Sequence, residues 1–273
     1  MESEETKVII SKIKAKLCDI HPPCPLKKGE FRELSHNCPL KNEEFRELSH
    51  NSPFLRGQGG CISQNNRLNA RNLLAPFVNG VNQEQIKPCD LYRNACAKTK
   101  QSAVLLLLWE RQEKLNVVFT LRSVNLLSHS GQISFPGGTA DISTVTGEIE
   151  TAEETALRET FEEIGISPHS IEVLGRLSPL FVLPADSLIT PVVGYSKNYL
   201  DFKVNHNEVE EVFTKPLDFF TFDNIKYRKW NIRGELIDIP YWSVHHSTPL
   251  WGATAMILAE FIEIYREINL IKN

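Results

Sequence analysis

The sequence predicts a mixed α/β domain of the α+β class, and three observations carry that expectation. Apolar stretches of strand length, such as "AVLLLLW" at residues 103–109, dominate the centre of the 273-residue chain. Two stretches with helical periodicity, at 151–165 and 250–268, flank that centre. The composition is 41% hydrophobic and 23% charged, which supplies enough apolar material for one sizeable core with extensions.

The elements follow in order. Residues 1–65 read as a weakly ordered extension with no catalytic part. It contains a tandem duplication, "CPLKKGEFRELSHN" at 24–37 followed by "CPLKNEEFRELSHN" at 38–51, identical at twelve of fourteen positions. Two such short units are too few for a solenoid. The main domain is expected over 66–270. "NRLNARNLLAP" (66–76) suits a short helix with Leu68, Leu73 and Leu74 as its apolar residues, stopped by Pro76. "SAVLLLLW" and "LNVVFTLR" are strands, and "GQISFPGG" is a third that ends in a glycine turn. "TAEETALRETFEEIG" is a helix that stops at Gly165, since glycine accepts the left-handed backbone that ends helices. "IEVLGRLSPL" and "SLITPVVGYS" are further strands. "EVEEVFTKPLDFF" passes from strand to a short helix near Pro216, and "IKYRKWNI" with "LIDIPYWSV" forms a hairpin about Arg233–Gly234. "LWGATAMILAEFIEIYREI" is a closing amphipathic helix.

Charge and composition exclude several functions. The net charge is −4, but residues 101–273 carry 14 Lys and Arg against 23 Asp and Glu. A surface that acidic does not suit extended nucleic acid, and an anionic substrate needs cations to screen it. The longest apolar runs stop far short of the roughly 18–20 residues of a membrane span. The start "MESEETK" has acids where a secretory or transit signal has bases, and the end "NLIKN" lacks a Ser-Lys-Leu address. Cytoplasm is therefore the default compartment, with the peroxisome or another organelle open. All six cysteines lie in the first 96 residues, which favours a reducing environment. Cys18, His21 and Cys24 are zinc-ligand types, but their spacing matches no paired-cysteine pattern, so a thiol-containing tail is expected.

The chemistry concentrates in "ALRETFEEIG" (156–165). Drawn at 100° per residue, the helix puts Ala156, Leu157, Thr160, Phe161 and Ile164 on one half, the core face. Glu159, Glu162 and Glu163 fall within about 100° of one another, with Glu163 at the apolar border. Like charges at that spacing repel, and a solvated acidic face is the ordinary explanation. Two features point elsewhere. "FPGGTAD" places a tight glycine turn just upstream, where backbone approaches a ligand closely. Arg158 is the one cation among seven acids between 148 and 163, well placed to hold a carboxylate. Crowded carboxylates suit a hard divalent cation, which takes oxygen ligands and cancels the repulsion.

The residues Glu150, Arg158, Glu159, Glu162, Glu163, Gly165 and Ile166 resemble the signature of the Nudix hydrolases, in which a glutamate precedes R-E-aliphatic-x-E-E-x-G-aliphatic. Thr160 departs from the aliphatic position, and eleven residues separate Gly138 from Glu150 where the family has five, so "TADISTVTGEI" carries an insertion. "FTLRSVNLLSHSGQISFPGG" (119–138) is similar to the segment that marks the coenzyme A diphosphatase branch, with Leu127 standing where an arginine is usual. "ITPVVGY", "NEVEEVFTKPL" and "LWGATAMIL" are also similar to that branch, so the resemblance runs over about 66–268.

The resemblance implies an α/β/α sandwich with a central mixed sheet. It implies Mg²⁺ or Mn²⁺ held by Glu159 and Glu163, with Glu162 as a further ligand or as the base, and a backbone carbonyl from Gly137 or Gly138. It implies hydrolysis of the diphosphate of coenzyme A or acyl-CoA to adenosine 3',5'-bisphosphate and (acyl-)4'-phosphopantetheine. Glu162 and Glu208 are both candidates for the base, with Arg158 in the catalytic set, and Glu208 reads equally as a solvated loop residue. Arg122 meets a phosphate or pairs with a surface carboxylate. His129 touches the substrate or bonds its own loop. His245 and His246 are read as loop residues, and Trp251, Phe219, Phe220 and Trp230 as core rather than an adenine platform. Two other activities remain: a Nudix pyrophosphatase for oxidised nucleoside triphosphates or dinucleotides, and a non-catalytic nucleotide-binding module. The oligomeric state is open.

Overall fold

The structure, a computed structural model, describes residues 3–20, 70–71, 73–74, 99–126, 129–144, 146–182, 185–232 and 235–270. The duplicated peptide, His21 and Cys24 lie outside them; Cys18 is an exposed free thiol on a helix. Three long helices are described: α1 (Glu4–Ile20), α2 (Ala152–Ile164) and α3 (Gly252–Leu270). No helix among the described residues is long and apolar enough to cross a membrane.

The central sheet begins with β1 (Lys100–Arg111) and β2 (Lys114–Arg122), an antiparallel pair joined by a tight turn with Gln112 and Glu113 at positive φ. It continues through β3 (Ile133–Ser134), β4 (Gly137–Thr139), β5 (Glu172–Arg176), β6 (Leu180–Val182), β7 (Ser187–Ser196) and β8 (Val209–Pro216). The main path runs β3-β2-β1-β7-β5, with β4 on β1, β6 on β7 and β8 on β2. β1 and β7 are parallel over ten residue pairs and the other ladders are antiparallel, so the sheet is mixed. A separate hairpin, β9 (Lys226–Ile232) and β10 (Glu235–Tyr241), follows β8.

Both faces of the sheet are covered, which is why β1 reads as an unbroken apolar run rather than an alternating one. Leu106 and Leu108 point into a core with Ile13 and Leu17 of α1 and Leu258, Phe261 and Ile262 of α3. Leu105 and Leu107 point the other way, to Ala156 and Ile164 of α2. The result is an α/β/α sandwich. Truncating a buried leucine in such a core costs about 2–5 kcal/mol.

Several expectations change. Residues 4–20 are not a weakly ordered tail: their apolar positions Ile9, Ile10, Ile13 and Leu17 make one helical stripe, and Gly175 lets α1 approach so closely that an added Cβ there would sit 2.8 Å from Leu17 Cβ. The "GQISFPGG" stretch is two strands, because β2 leaves β1 to pair with β3 while Gly137 and Gly138 take the vacated edge of β1 opposite Val104 and Ala103. Phe161 is 54% exposed, not core, and Leu73 is exposed beside buried Leu74. Of the helix expected at 66–76, Ala70, Arg71 and Leu73 are helical among the described residues.

Arg71 and Glu260 form an ion pair at 3% and 1% exposure. Arg71 Nη1 donates to Pro179 O at 3.3 Å and Nη2 donates to Ser178 O, while Ser178 N and Oγ donate to Glu260 Oε1 at 3.1 and 2.7 Å. The pair ties the 70–74 segment, the β5–β6 connection and α3 together.

Candidate active site

α2 presents the acidic motif, and its ends are set by local chemistry. Thr151 and Glu154 form a reciprocal capping box, with the Thr151 side chain on Glu154 N and the Glu154 carboxylate on Thr151 N. Gly165 ends the helix at φ 73°, donating its N–H to Phe161 O at 2.9 Å. Thr160 is fully buried where the family has an aliphatic residue, and its hydroxyl donates to Ala156 O at 2.6 Å, so the substitution leaves no polar group unpaired.

Glu163 lies on the buried side of the helix at 2% exposure, rather than on its border. Gly137 N donates to Glu163 Oε2 at 3.2 Å, and Arg122 Nη1 stands 3.6 Å from Oε1. Burial pushes the Glu163 carboxyl up to about 8; Arg122 and the Gly137 amide oppose that shift, and Glu159 and Glu208 add to it. Gly137 thus contributes an N–H to this carboxylate. Only glycine fits here, because its φ is 154° and an added Cβ would lie 2.3 Å from Ala103 O. Gly138 lies against the Glu159 carboxylate: a Cβ there would lie 2.3 Å from Glu159 Oε1, the far end of a flexible side chain, so this position is less constrained than Gly137.

Arg158 organises the remaining acids. Its Nε and Nη2 donate to the two oxygens of Glu150, each at 2.9 Å, and Nη1 donates to Glu159 Oε1 at 3.0 Å and Glu162 Oε2 at 2.9 Å. Nη2 also reaches Thr139 O at 3.0 Å. With every donor engaged by protein, Arg158 is a positioning residue rather than a group that touches substrate. The hydrogen bonds from Arg158 hold the Glu150 carboxyl below its usual range, while burial raises Glu159, with Glu162 and Glu208 adding to the rise against Arg158.

The insertion between Gly138 and Glu150 folds into a small hairpin. Ile142 bridges Ile149, Ser143 N donates to Glu148 O at 2.8 Å, and Glu150 N donates to Asp141 O at 2.9 Å. It therefore leaves the main chain where it joined it, and Glu150 still meets Arg158. Thr155 Oγ1 adds a bond to Glu150 Oε2 at 3.1 Å.

Glu208 comes from the connection between β7 and β8. Asn205 N donates to Glu163 O, Ser123 N donates to Glu208 O, and Asn205 Nδ2 donates to Glu208 Oε1 at 3.2 Å. That places it near enough to Glu159 and Glu163 to repel both. Among the described residues it has no cation partner, unlike Glu162, which is half exposed and held by Arg158. His129 bonds Gln132 Oε1 through Nδ1 at 3.3 Å, inside a loop that holds His129 at φ 53°. His245 bonds Glu211 Oε2 at 3.1 Å and Ser247 Oγ at 2.9 Å, so it is a loop residue, as its sequence suggests. Phe220 is core and Phe219 packs against it, whereas Trp230 and Trp251 are only partly buried.

The donor set fits a divalent cation. Glu159, Glu163 and Glu208 crowd carboxylate oxygens at a site where burial already penalises the charge of Glu159 and Glu163, and among the described residues Arg122 Nε is buried without a hydrogen-bond partner. Among the described residues no three of these side chains converge in a ready-made cage, since Arg158 draws Glu159 and Glu162 to itself. Residues that sequence reasoning missed are the supports: Thr151, Thr155, Thr139 and Asn205. The capping box was readable from T-x-x-E spacing; the Asn205–Glu208 bond was not.

The raised Glu163 carboxyl sets a pH dependence. Its value when folded, about 8, lies above the ordinary 4.5, so the folded chain keeps a proton that the unfolded chain loses. That contribution to stability is complete below 4.5 and fades as pH rises through about 8. In chelator, the melting temperature is therefore expected to fall across this window, and Mg²⁺ or Mn²⁺ to raise it more at the alkaline end. Calorimetric melts with and without metal check this; a metal effect independent of pH would count against it.

Residues 99–238 match the NUDIX domain family. The peroxisomal coenzyme A diphosphatase of Mus musculus is 42% identical over 127 residues, 46% of this chain and 51% of that protein, so the match spans about half of that relative's length. Nudix hydrolase 3 of Caenorhabditis elegans is 33% identical over 180 residues, 58% of this chain and 72% of that protein. Among solved structures, a Nudix hydrolase from M. smegmatis is 17% identical with a TM-score of 0.42, covering 64% of this chain and 88% of the other.

Proposed function

This chain belongs to the Nudix family, and from that premise we propose that it hydrolyses the diphosphate of coenzyme A and its acyl esters, releasing adenosine 3',5'-bisphosphate and (acyl-)4'-phosphopantetheine. One observation carries the reading. Arg122, from the segment that resembles the coenzyme A diphosphatase branch, stands 3.6 Å from Glu163 of the helix motif, so the two motifs meet at one carboxylate. The name and 42% identity of the mouse relative support the same substrate.

Glu159 and Glu163 would hold Mg²⁺ or Mn²⁺, with Glu162 as a third ligand once it leaves Arg158. A bound ion of this kind neutralises phosphate charge and lowers the pKa of water. The chain's own residues supply the rest. Arg122 turns its unpartnered Nε to a phosphate oxygen, and His129 meets the substrate. Glu208, the carboxylate without a cation, takes the proton of the attacking water. Glu150 anchors Arg158, which holds Glu159 in register.

Steady-state turnover of a panel of coenzyme A, nucleoside triphosphates and dinucleotides in Mg²⁺ and Mn²⁺ tests the substrate. Turnover confined to nucleotides would replace coenzyme A with the pyrophosphatase reading, and inactivity on every diphosphate would leave a binding module. The base is tested separately. Glu208→Gln is expected to lower kcat about 10²–10⁴-fold with the metal concentration for half-maximal rate unchanged. Glu162→Gln lowers kcat, raises that metal concentration and keeps its melting temperature. The opposite pattern would make Glu162 the base.

A further inference from the structure

The β9–β10 hairpin carries aromatic and cationic side chains that the reaction at the carboxylates does not use. Strand alternation puts Lys226, Arg228 and Trp230 on one face of β9. Their cross-strand partners are Tyr241, Ile239 and Ile237, of which Ile239 is buried. There Trp230 meets Trp251 edge to face, with ring centroids 4.5 Å apart at 84°. The Arg228 guanidinium lies 5.8 Å from the Trp230 centroid. Both indoles are part-exposed, and Arg228 is exposed with no carboxylate partner among the described residues.

This corner is fastened to the end of the sheet that carries Arg122. Trp251 immediately precedes α3, and Thr254 in the first turn of α3 donates to Ile133 O at 3.2 Å. Ile133 pairs with Leu121, next to Arg122, and Gln132 O accepts the Arg122 N–H. From Ile133 the chain runs directly to Gly137 and Gly138 beneath the carboxylates. Cations are scarce near those acids: Arg158 is fully engaged, and Arg122 already faces Glu163. A substrate with a phosphate beyond its diphosphate needs another, and β9 holds Lys226, Arg228 and Lys229 within four residues of an otherwise acidic domain.

We propose that Trp230, Trp251 and Arg228 form the subsite for the nucleotide half of the substrate, the indoles taking the purine and Arg228 the phosphate monoester on the ribose. The assignment rests on the coenzyme A reading and adds where its 3'-phosphoadenosine end is held. An indole offers a flat face on which any purine stacks, and a guanidinium matches phosphate through paired donors.

Calorimetric titration of the full chain with adenosine 3',5'-bisphosphate, alongside kinetics on coenzyme A and 3'-dephospho-coenzyme A, tests it. Trp230→Leu is expected to weaken the bisphosphate about tenfold or more and to raise KM for coenzyme A in step, with kcat unchanged. Arg228→Gln, at an exposed position that leaves the fold intact, should raise KM for coenzyme A but not for the dephospho form. Equal bisphosphate affinity in all three proteins, or none in the unaltered one, overturns the subsite. If the bisphosphate binds and both variants weaken it, but coenzyme A is not turned over, the subsite stands and the proposed reaction falls.

Discussion

Glu163→Gln is expected to lower kcat by roughly 10²–10³-fold while leaving the melting temperature unchanged or higher. The two effects separate because they depend on different properties of one side chain. Folding needs its shape and its acceptor: the glutamine carbonyl still takes the Gly137 N–H that now goes to Oε2 at 3.2 Å. Function, on the proposed reading, needs its charge, which faces Arg122 and would hold a divalent ion. Burial already disfavours that charge, so removing it relieves a cost. In chelator above pH 8 the variant should be the more stable of the two, and its stability should fall less steeply across the 4.5-to-8 window. Kinetics in Mg²⁺ and calorimetric melts across that pH range measure both. A parallel fall in rate and stability would mean that the carboxylate serves the fold instead.

Arg71→Ala carries the largest expected effect on stability, about 3–5 kcal/mol. The substitution leaves Glu260 at 1% exposure with Ser178 as its remaining partner and no cation. It also leaves the carbonyls of Ser178 and Pro179 without their donor. For a domain of this size the melting temperature should drop by about 10 °C. Arg71→Met with Glu260→Leu is the control, since replacing both charges with apolar groups of similar volume is often neutral or stabilising. Recovery of most of the loss in that pair supports the buried-charge account; a double variant as unstable as Arg71→Ala would point to lost packing.

Most elements were legible because their signals are local. Apolar run length, glycine and proline punctuation and the 3.6-residue period marked β1, β2, β7, α2, α3 and the β9–β10 hairpin. The failures share one physical origin. Phe161 lies on the apolar half of a helical wheel, yet no element among the described residues covers that side of α2, and it is 54% exposed. Residues 4–20 look like a charged tail until the groove over Gly175 is present to receive Ile13 and Leu17. The Arg71–Glu260 pair joins residues 189 positions apart, a separation that leaves no pattern in the chain.

The same division runs through the site. The order and identity of Glu159, Glu162, Glu163 and Arg158 determined by themselves that acids crowd one side of a helix with one cation among them, because helical spacing places neighbours three and four residues apart on a common face. Only the tertiary structure decided which acid is buried, which is held by Arg158 and which lacks a cation. Those differences come from β4 displacing β2 on the edge of β1, from the inserted hairpin closing on Glu150, and from the segment that brings Glu208 back to α2. A carboxylate's charge state depends on the solvent and charges around it, and in a folded chain these are set by residues far away in sequence.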